Sequence, residues 1–237
     1  MPDVKIGVVI PTRGNRPQFL EHAKYLLAQQ TLPPDEIIIV NWPPADNGVD
    51  LQNRYRAGFE QSFADGMDIV FAWEDDDWYS PDYIKIIVDE WIKNGRPVLI
   101  GLKGTLYYHI GIRKYQKLLN SNRATMACSA MSKEALDITW DLSSPFLDLY
   151  LWKKLPGKVI DPEQGRVIYV GIKHGQGKCG GMGHKKVTMY HNDDNALKFL
   201  AGIVDSKSLE FYSGFIRTFV SGITRKRRFC GVSVRGY

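Results

Sequence analysis

The hydrophobic pattern of the first hundred residues alternates between two periods. Val4 to Ile10, Glu36 to Val40, Asp68 to Trp73 and Pro97 to Leu102 are short, nearly continuous apolar runs. Such runs predict strands buried on both faces. The stretches between them carry a helical period. Pro17 fits a first helical position, and Phe19, Ala23, Leu26 and Leu27 form an apolar stripe behind it. Leu51 to Phe63 predicts a second helix, closed by Gly66. Ser80-Pro81 opens a third, in which Ile84, Ile87, Val88 and Trp91 recur at i, i+3, i+4 and i+7 until Gly95. Strand and helix in alternation predict an α/β fold: a Rossmann-like, mainly parallel sheet with helices on both faces and ligands at the carboxyl ends of its strands.

The second half is less regular. It predicts strands over Leu106 to Ile112 and Arg166 to Ile172, and helices over Ser132 to Leu136, Pro145 to Leu155 and Asp193 to Val204. A glycine-rich loop runs from Gly175 to Gly183, and there is no internal repeat. The expected organisation is a first half at 1–104, a second half of the same domain at 105–204, and a basic C-terminal helix and tail at 205–237.

Composition narrows the class. Hydrophobic content of 44% and charge of 24% suit a soluble globular protein. No apolar run is long enough to span a bilayer and no leader pattern precedes the first strand, so a cytoplasmic location is expected. Three cysteines (Cys128, Cys179 and Cys230), odd in number and without CxxC spacing, favour reduced thiols. The net charge is +5, yet Ser206 to Tyr237 alone holds seven bases against one acid, Glu210. That tail fits a docked helix with solvated cations, an anionic membrane surface or a nucleic acid.

Candidate chemistry concentrates where the third strand ends. Glu74, Asp75, Asp76 and Asp77 follow it without interruption. Four carboxylates at a strand tip repel one another unless a cation sits among them. An EF-hand starting at Asp75 fails, because its sixth position is Ser80 and its twelfth is Ile86. No P-loop and no GxGxxG follows any strand. What remains is Mn²⁺ or Mg²⁺ gripping a diphosphate. Thr12-Arg13 and Asn41 end the first two strands, so three loops converge on one crevice. In the late glycine-rich loop, glycines allow backbone to approach phosphate oxygens and Lys178 adds positive charge. His174, Cys179, His184 and His191 match no common structural zinc spacing.

Three segments together resemble glycosyltransferase family 2: Val8-Val9-Ile10-Pro11-Thr12-Arg13-Gly14-Asn15-Arg16, Glu36 to Val40, and Asp68 to Pro81. The resemblance covers the first hundred residues well and the rest loosely. It implies the nucleotide-sugar-binding GT-A fold and an inverting transfer. Pro11, Thr12 and Arg13 would line the nucleotide base pocket, with Asn41 and Asp46 near base or ribose. Arg54 or Arg56 stands where the family often has an Arg-Asn pair. Asp75 would approach ribose or metal, and Asp76 and Asp77, with His174, would hold the ion. In Phe146-Leu147-Asp148-Leu149, Asp148 takes the place of the catalytic base; Asp141 is the reserve.

The expected function is transfer of a sugar from a nucleoside-diphosphate sugar, UDP-sugars favoured, to an acceptor hydroxyl. The acceptor is a glycan, a lipid-linked glycan or a hydroxylated base in DNA. A nucleotidyltransferase would need a glycine-rich loop after the first strand, where Pro11 to Pro17 has one glycine. A non-catalytic nucleotide-sugar- or nucleic-acid-binding module is the third reading. Trp73, Trp78, Tyr107 and Trp140 are candidates for stacking on sugar or acceptor rings, or for core.

Overall fold

A computed structural model of the chain describes residues 4–42, 50–143, 146–162, 166–175, 191–193 and 197–227, with side chains described to residue 216. The chain divides into two compact units. One holds residues 1–106 and 117–171, the other residues 107–116 and 172–237.

The first unit is built on a six-stranded sheet. Its strands are β1 (Ile6–Pro11), β2 (Glu36–Val40), β3 (Ile69–Ala72), β5 (Leu99–Leu102), β8 (Ser129–Met131) and β9 (Gly157–Ile160). Their order is β2-β1-β3-β8-β5-β9. β1 runs parallel to both neighbours, with Val8 opposite Ile37 on one side and Phe71 on the other. β5 and β9 are also parallel, while β8 is antiparallel to β3 and β5. Every residue of β1 and β3 is buried, as continuous apolar runs require. The expected mainly parallel α/β sheet is therefore present. Its antiparallel member is only three residues long, too short to show a period.

Helices α1 (Pro17–Ala28), α2 (Asp50–Ala64) and α3 (Tyr83–Lys93) cover the sheet. α2 approaches β1 closely because Gly58 has no side chain: a Cβ there would lie 2.4 Å from Val9 Cγ1. Tyr55, Phe59 and Phe63 of α2 join Val9, Val70, Leu99, Met131 and Trp140 in one apolar core. α4 (Leu147–Lys154) adds Leu147 and Leu151 to it. Beyond the acidic turn, β4 (Trp78–Tyr79) pairs antiparallel with the start of β10 (Tyr169–Lys173), Tyr79 opposite Tyr169. β6 (Gly104–His109) and β7 (Lys114–Leu119) complete the strands that begin or end in this unit.

In the second unit, β11 (His191–Asn192) pairs with Lys114 and Tyr115 of β7. The Tyr108 hydroxyl donates to the buried Asp193 at 2.7 Å. Asp193 also accepts from the Phe199 backbone amide, so it stands outside the helix expected to start there. That helix, α5, is reduced to Lys198–Ala201, preceded by Leu197 at φ +70°. α6 spans Ser206–Arg227 and is the C-terminal helix expected from the sequence. The basic residues past Arg227 lie outside the described residues. No helix among the described residues is long and apolar enough to cross a membrane.

Candidate functional site

The exit of β1 fixes one side of the candidate site. The Thr12 amide donates to the Val40 carbonyl at 2.9 Å, which extends the β1–β2 ladder by one rung. Pro11 and Thr12 are buried there, whereas Arg13 and Asn41 are exposed. Gly14, at φ +71°, turns the chain between Arg13 and Arg16. The two arginines consequently leave the same loop toward different carboxylates.

Arg13 donates to Asp50 at 3.0 Å. Asp50, 3% exposed at the head of α2, forms a second ion pair at 2.6 Å with Arg54, one helical turn on. Arg54 is 1% exposed, and it also donates to the Trp42 carbonyl. Burial pushes the Asp50 carboxyl up, but the Arg13 hydrogen bond and the charges of Arg54 and Arg13 outweigh it and hold the pKa below the ordinary value. Arg54 thus braces the loop end near Trp42 and holds Asp50. Arg56 turns away, capping the Leu136 and Ile138 carbonyls and lying over the Trp140 ring at 5.2 Å.

The acids after β3 form the other side. Glu74, Asp76 and Asp77 bring one ligand oxygen each within 4.8 Å of the others. Asp75 is the fourth acid but not part of that group; it is 3% exposed and accepts from the Thr12 hydroxyl at 2.8 Å. Arg16 bridges the cluster, donating to Asp75 at 2.8 Å and to Asp76 at 2.9 Å. Burial works against the charged guanidinium, yet Asp76 and Asp75, then Glu74, hold its pKa above the ordinary value.

Tyrosines orient these acids from behind. The Tyr169 hydroxyl donates to Asp77. The Tyr79 hydroxyl accepts from the Glu74 amide at 3.0 Å and donates to the Ala127 carbonyl at 3.2 Å. Tyr55, 1% exposed, feels the charge of all four acids, and its hydroxyl has no hydrogen-bond partner among the described residues. Burial first and then these negative charges push Tyr55, Tyr79 and Tyr169 well above the ordinary phenol range. The Tyr79 and Tyr169 hydroxyls stay protonated and serve as donors.

Asp148 sits in the first turn of α4, its side chain 15% exposed, with Arg123 donating to it at 3.0 Å. Burial raises its pKa above the ordinary carboxylate value despite the opposing charge of Arg123. Asp141 instead closes a local turn, accepting from the amide and hydroxyl of Ser143. His174 belongs to the second unit, 1% exposed, its ring 5.8 Å from that of Phe215. Asp46 and Lys178 lie outside the described residues.

The aromatic candidates divide. Trp73 stacks on Tyr79 at 3.7 Å, Trp140 donates to the Ala135 carbonyl, and Trp78 is 3% exposed, so these three are core. Tyr107 is half-buried under the Lys173 ammonium, 5.0 Å from its ring.

Four residues of the candidate site were not singled out in the sequence: Arg16, Asp50, Glu74 as a member of the three-acid group, and Tyr169. Asp50 and Arg54 had a visible signal, opposite charges at i and i+4. Tyr169 had none, because it meets Asp77 across 92 residues.

No protein-family model and no curated sequence matches the chain. Solved structures do. The structure of Staphylococcus aureus TarS 1-349 in complex with UDP-GlcNAc is 13% identical, with a TM-score of 0.51 over 98% of this chain and 77% of that one. TarS 1-349 in complex with UDP is 14% identical with a TM-score of 0.49, covering 71% of this chain and 60% of that one. The mannosyltransferase PcManGT from Pyrobaculum calidifontis, in complex with GDP-Man and Mn²⁺, is 11% identical with a TM-score of 0.49 over 96% and 76%. At these identities the likeness is one of fold, and the chain shares the GT-A type of α/β fold with nucleotide-sugar glycosyltransferases.

Proposed function

We propose that the chain is a metal-dependent, inverting glycosyltransferase of the family 2 type, which moves a sugar from a UDP-sugar to an acceptor hydroxyl, most simply that of a glycan. One observation carries the reading: three carboxylate ligands gathered within 4.8 Å at the tip of a central strand. That is the end of an open α/β sheet where ligands bind. TarS, which shares the fold, was solved with UDP-GlcNAc, and this supports a UDP-sugar donor.

The donor set fits the ion. Carboxylate oxygens alone suit Mg²⁺ or Mn²⁺ rather than a thiol-seeking metal. Bound by Glu74, Asp76 and Asp77, such an ion would neutralise the diphosphate as it leaves. The chain's own residues do the rest. Tyr169 and Tyr79 hold Asp77 and the Glu74 backbone in place. Arg13, held by Asp50, presents a cation at the mouth of the nucleotide pocket. Asp148 takes the proton of the acceptor hydroxyl while the acceptor's own oxygen attacks the anomeric carbon. The bond from that carbon to the phosphate oxygen breaks, and the electron pair leaves with the diphosphate. A raised carboxylate pKa brings the base nearer to neutrality.

The test is a donor screen by thermal shift with Mn²⁺, repeated on Asp76→Ala, followed by sugar release. UDP-sugars should raise the wild-type melting temperature only with Mn²⁺, and should not raise that of the variant. No shift in the wild type with any nucleotide sugar, or equal shifts in both proteins, rejects the reading.

A further inference from the structure

Arg16 holds a position that the proposed metal chemistry must reckon with. Its backbone is fixed: it precedes α1, and its carbonyl accepts from the Phe19 amide at 3.0 Å. Its guanidinium lies 4.9 Å from the centre of the Phe19 ring, which braces the plane. From there one amino group reaches Asp75 and the other reaches Asp76. The two acids have different duties. Asp75 is tied to Thr12, whereas Asp76 belongs to the metal-side group with Glu74 and Asp77.

We propose that Arg16 is a resident counter-cation, which shares Asp76 with the divalent ion and must give up that carboxylate when the ion binds. The inference rests on the metal reading above and adds to it. A guanidinium at 2.9 Å from Asp76 neutralises part of the charge that would attract the ion, and repels the ion itself. Asp75 and Phe19 keep the side chain anchored when Asp76 is withdrawn, so the freed amino group stays at the site. The metal-free protein avoids the repulsion among its acids, and its metal affinity is lower as a result.

Calorimetric titration of MnCl₂ into wild type, Arg16→Gln and Arg16→Lys tests this without any turnover. Removing the charge should tighten Mn²⁺ binding by roughly tenfold, the scale of one unit charge a few ångströms from the ion at a partly exposed site. Arg16→Lys, which keeps the charge but loses the two-pronged grip, should fall between. In EDTA, Arg16→Gln should melt below wild type, and saturating Mn²⁺ should close that gap. If Arg16→Gln does not fold, Arg16→Lys carries the comparison. Mn²⁺ binding to wild type with no gain in either variant overturns this inference and leaves the metal reading standing. Binding to none of the three overturns both. Binding to the variants but not to wild type supports the inference in its strongest form.

Discussion

Arg13 and Arg16 leave one loop three residues apart, and the carboxylates they meet differ in kind. Arg13 shares the buried Asp50 with Arg54, so two cations hold one anion. Arg16 spans Asp75 and Asp76, with Glu74 and Asp77 beside them. The first arrangement is a structural clamp: it fixes the start of α2 and holds the Trp42 carbonyl, and its carboxylate is held ionised. The second gathers more negative charge than a clamp requires. Arg16 offsets part of the repulsion among these carboxylates, and under the proposed function an entering cation would take over that role. Equal-looking ion pairs can therefore do opposite work, and the balance of charge around them tells which.

The comparison can be broken at each of its parts. The largest effect is expected at Asp77. Asp77→Asn should lower kcat/KM by roughly 1,000-fold, the several kcal/mol a bound ion contributes, and should abolish Mn²⁺ binding in calorimetry. Unchanged Mn²⁺ affinity would remove the distinction between the two arginine sites.

On the clamp side, Arg54→Ala should cost about 3 kcal/mol in urea unfolding, because it leaves a buried carboxylate short of a partner. Its Mn²⁺ affinity should not change. The pH dependence follows from the lowered pKa of Asp50. The stability it contributes is present above the ordinary carboxylate range near ~3.9 and is lost as pH falls through its lower folded value. The gap between wild type and Arg54→Ala should therefore close in that acid window.

A third pair, Asp148 with Arg123, separates chemistry from stability. Asp148→Asn should cut turnover by about 100-fold. Its folded pKa is raised, so its contribution to stability is present below the unfolded value and lost as pH rises through the folded one. Removing the charge at neutral pH should therefore leave the unfolding midpoint unchanged or higher. The acid limb of kcat/KM in the wild type should lie above the ordinary range near ~3.9. A variant that loses both activity and stability would make Asp148 a structural acid like Asp50.

The smallest effect is expected at Tyr169. Tyr169→Phe deletes the hydroxyl that donates to Asp77 and should weaken Mn²⁺ binding by roughly tenfold. No change would mean that Asp77 is held well enough by its other neighbours.

How far the chain could be read in advance followed the length of its elements. β1, α1, β2, α2, β3 and α3 each carry several residues of one period, and each lies within a few residues of its expected position. β8 and β4 have three and two residues, too few for a period. The expected helix from Asp193 failed because Asp193 directs its carboxylate to Tyr108 and Phe199. That partner choice depends on a residue 85 positions away.

By itself the sequence determined the alternation of strand and helix and, with it, the place of the four acids at a strand end, because burial on both faces writes a local pattern. Only the tertiary structure decided which acid serves which neighbour: Asp75 to Thr12 and Arg16, Asp76 to Arg16 and its fellow acids, Asp77 to Tyr169. The physical reason is that hydrogen bonds and ion pairs are set by direction and distance in space. Adjacent carboxylates in a turn point different ways, and no one-dimensional pattern records where each one points.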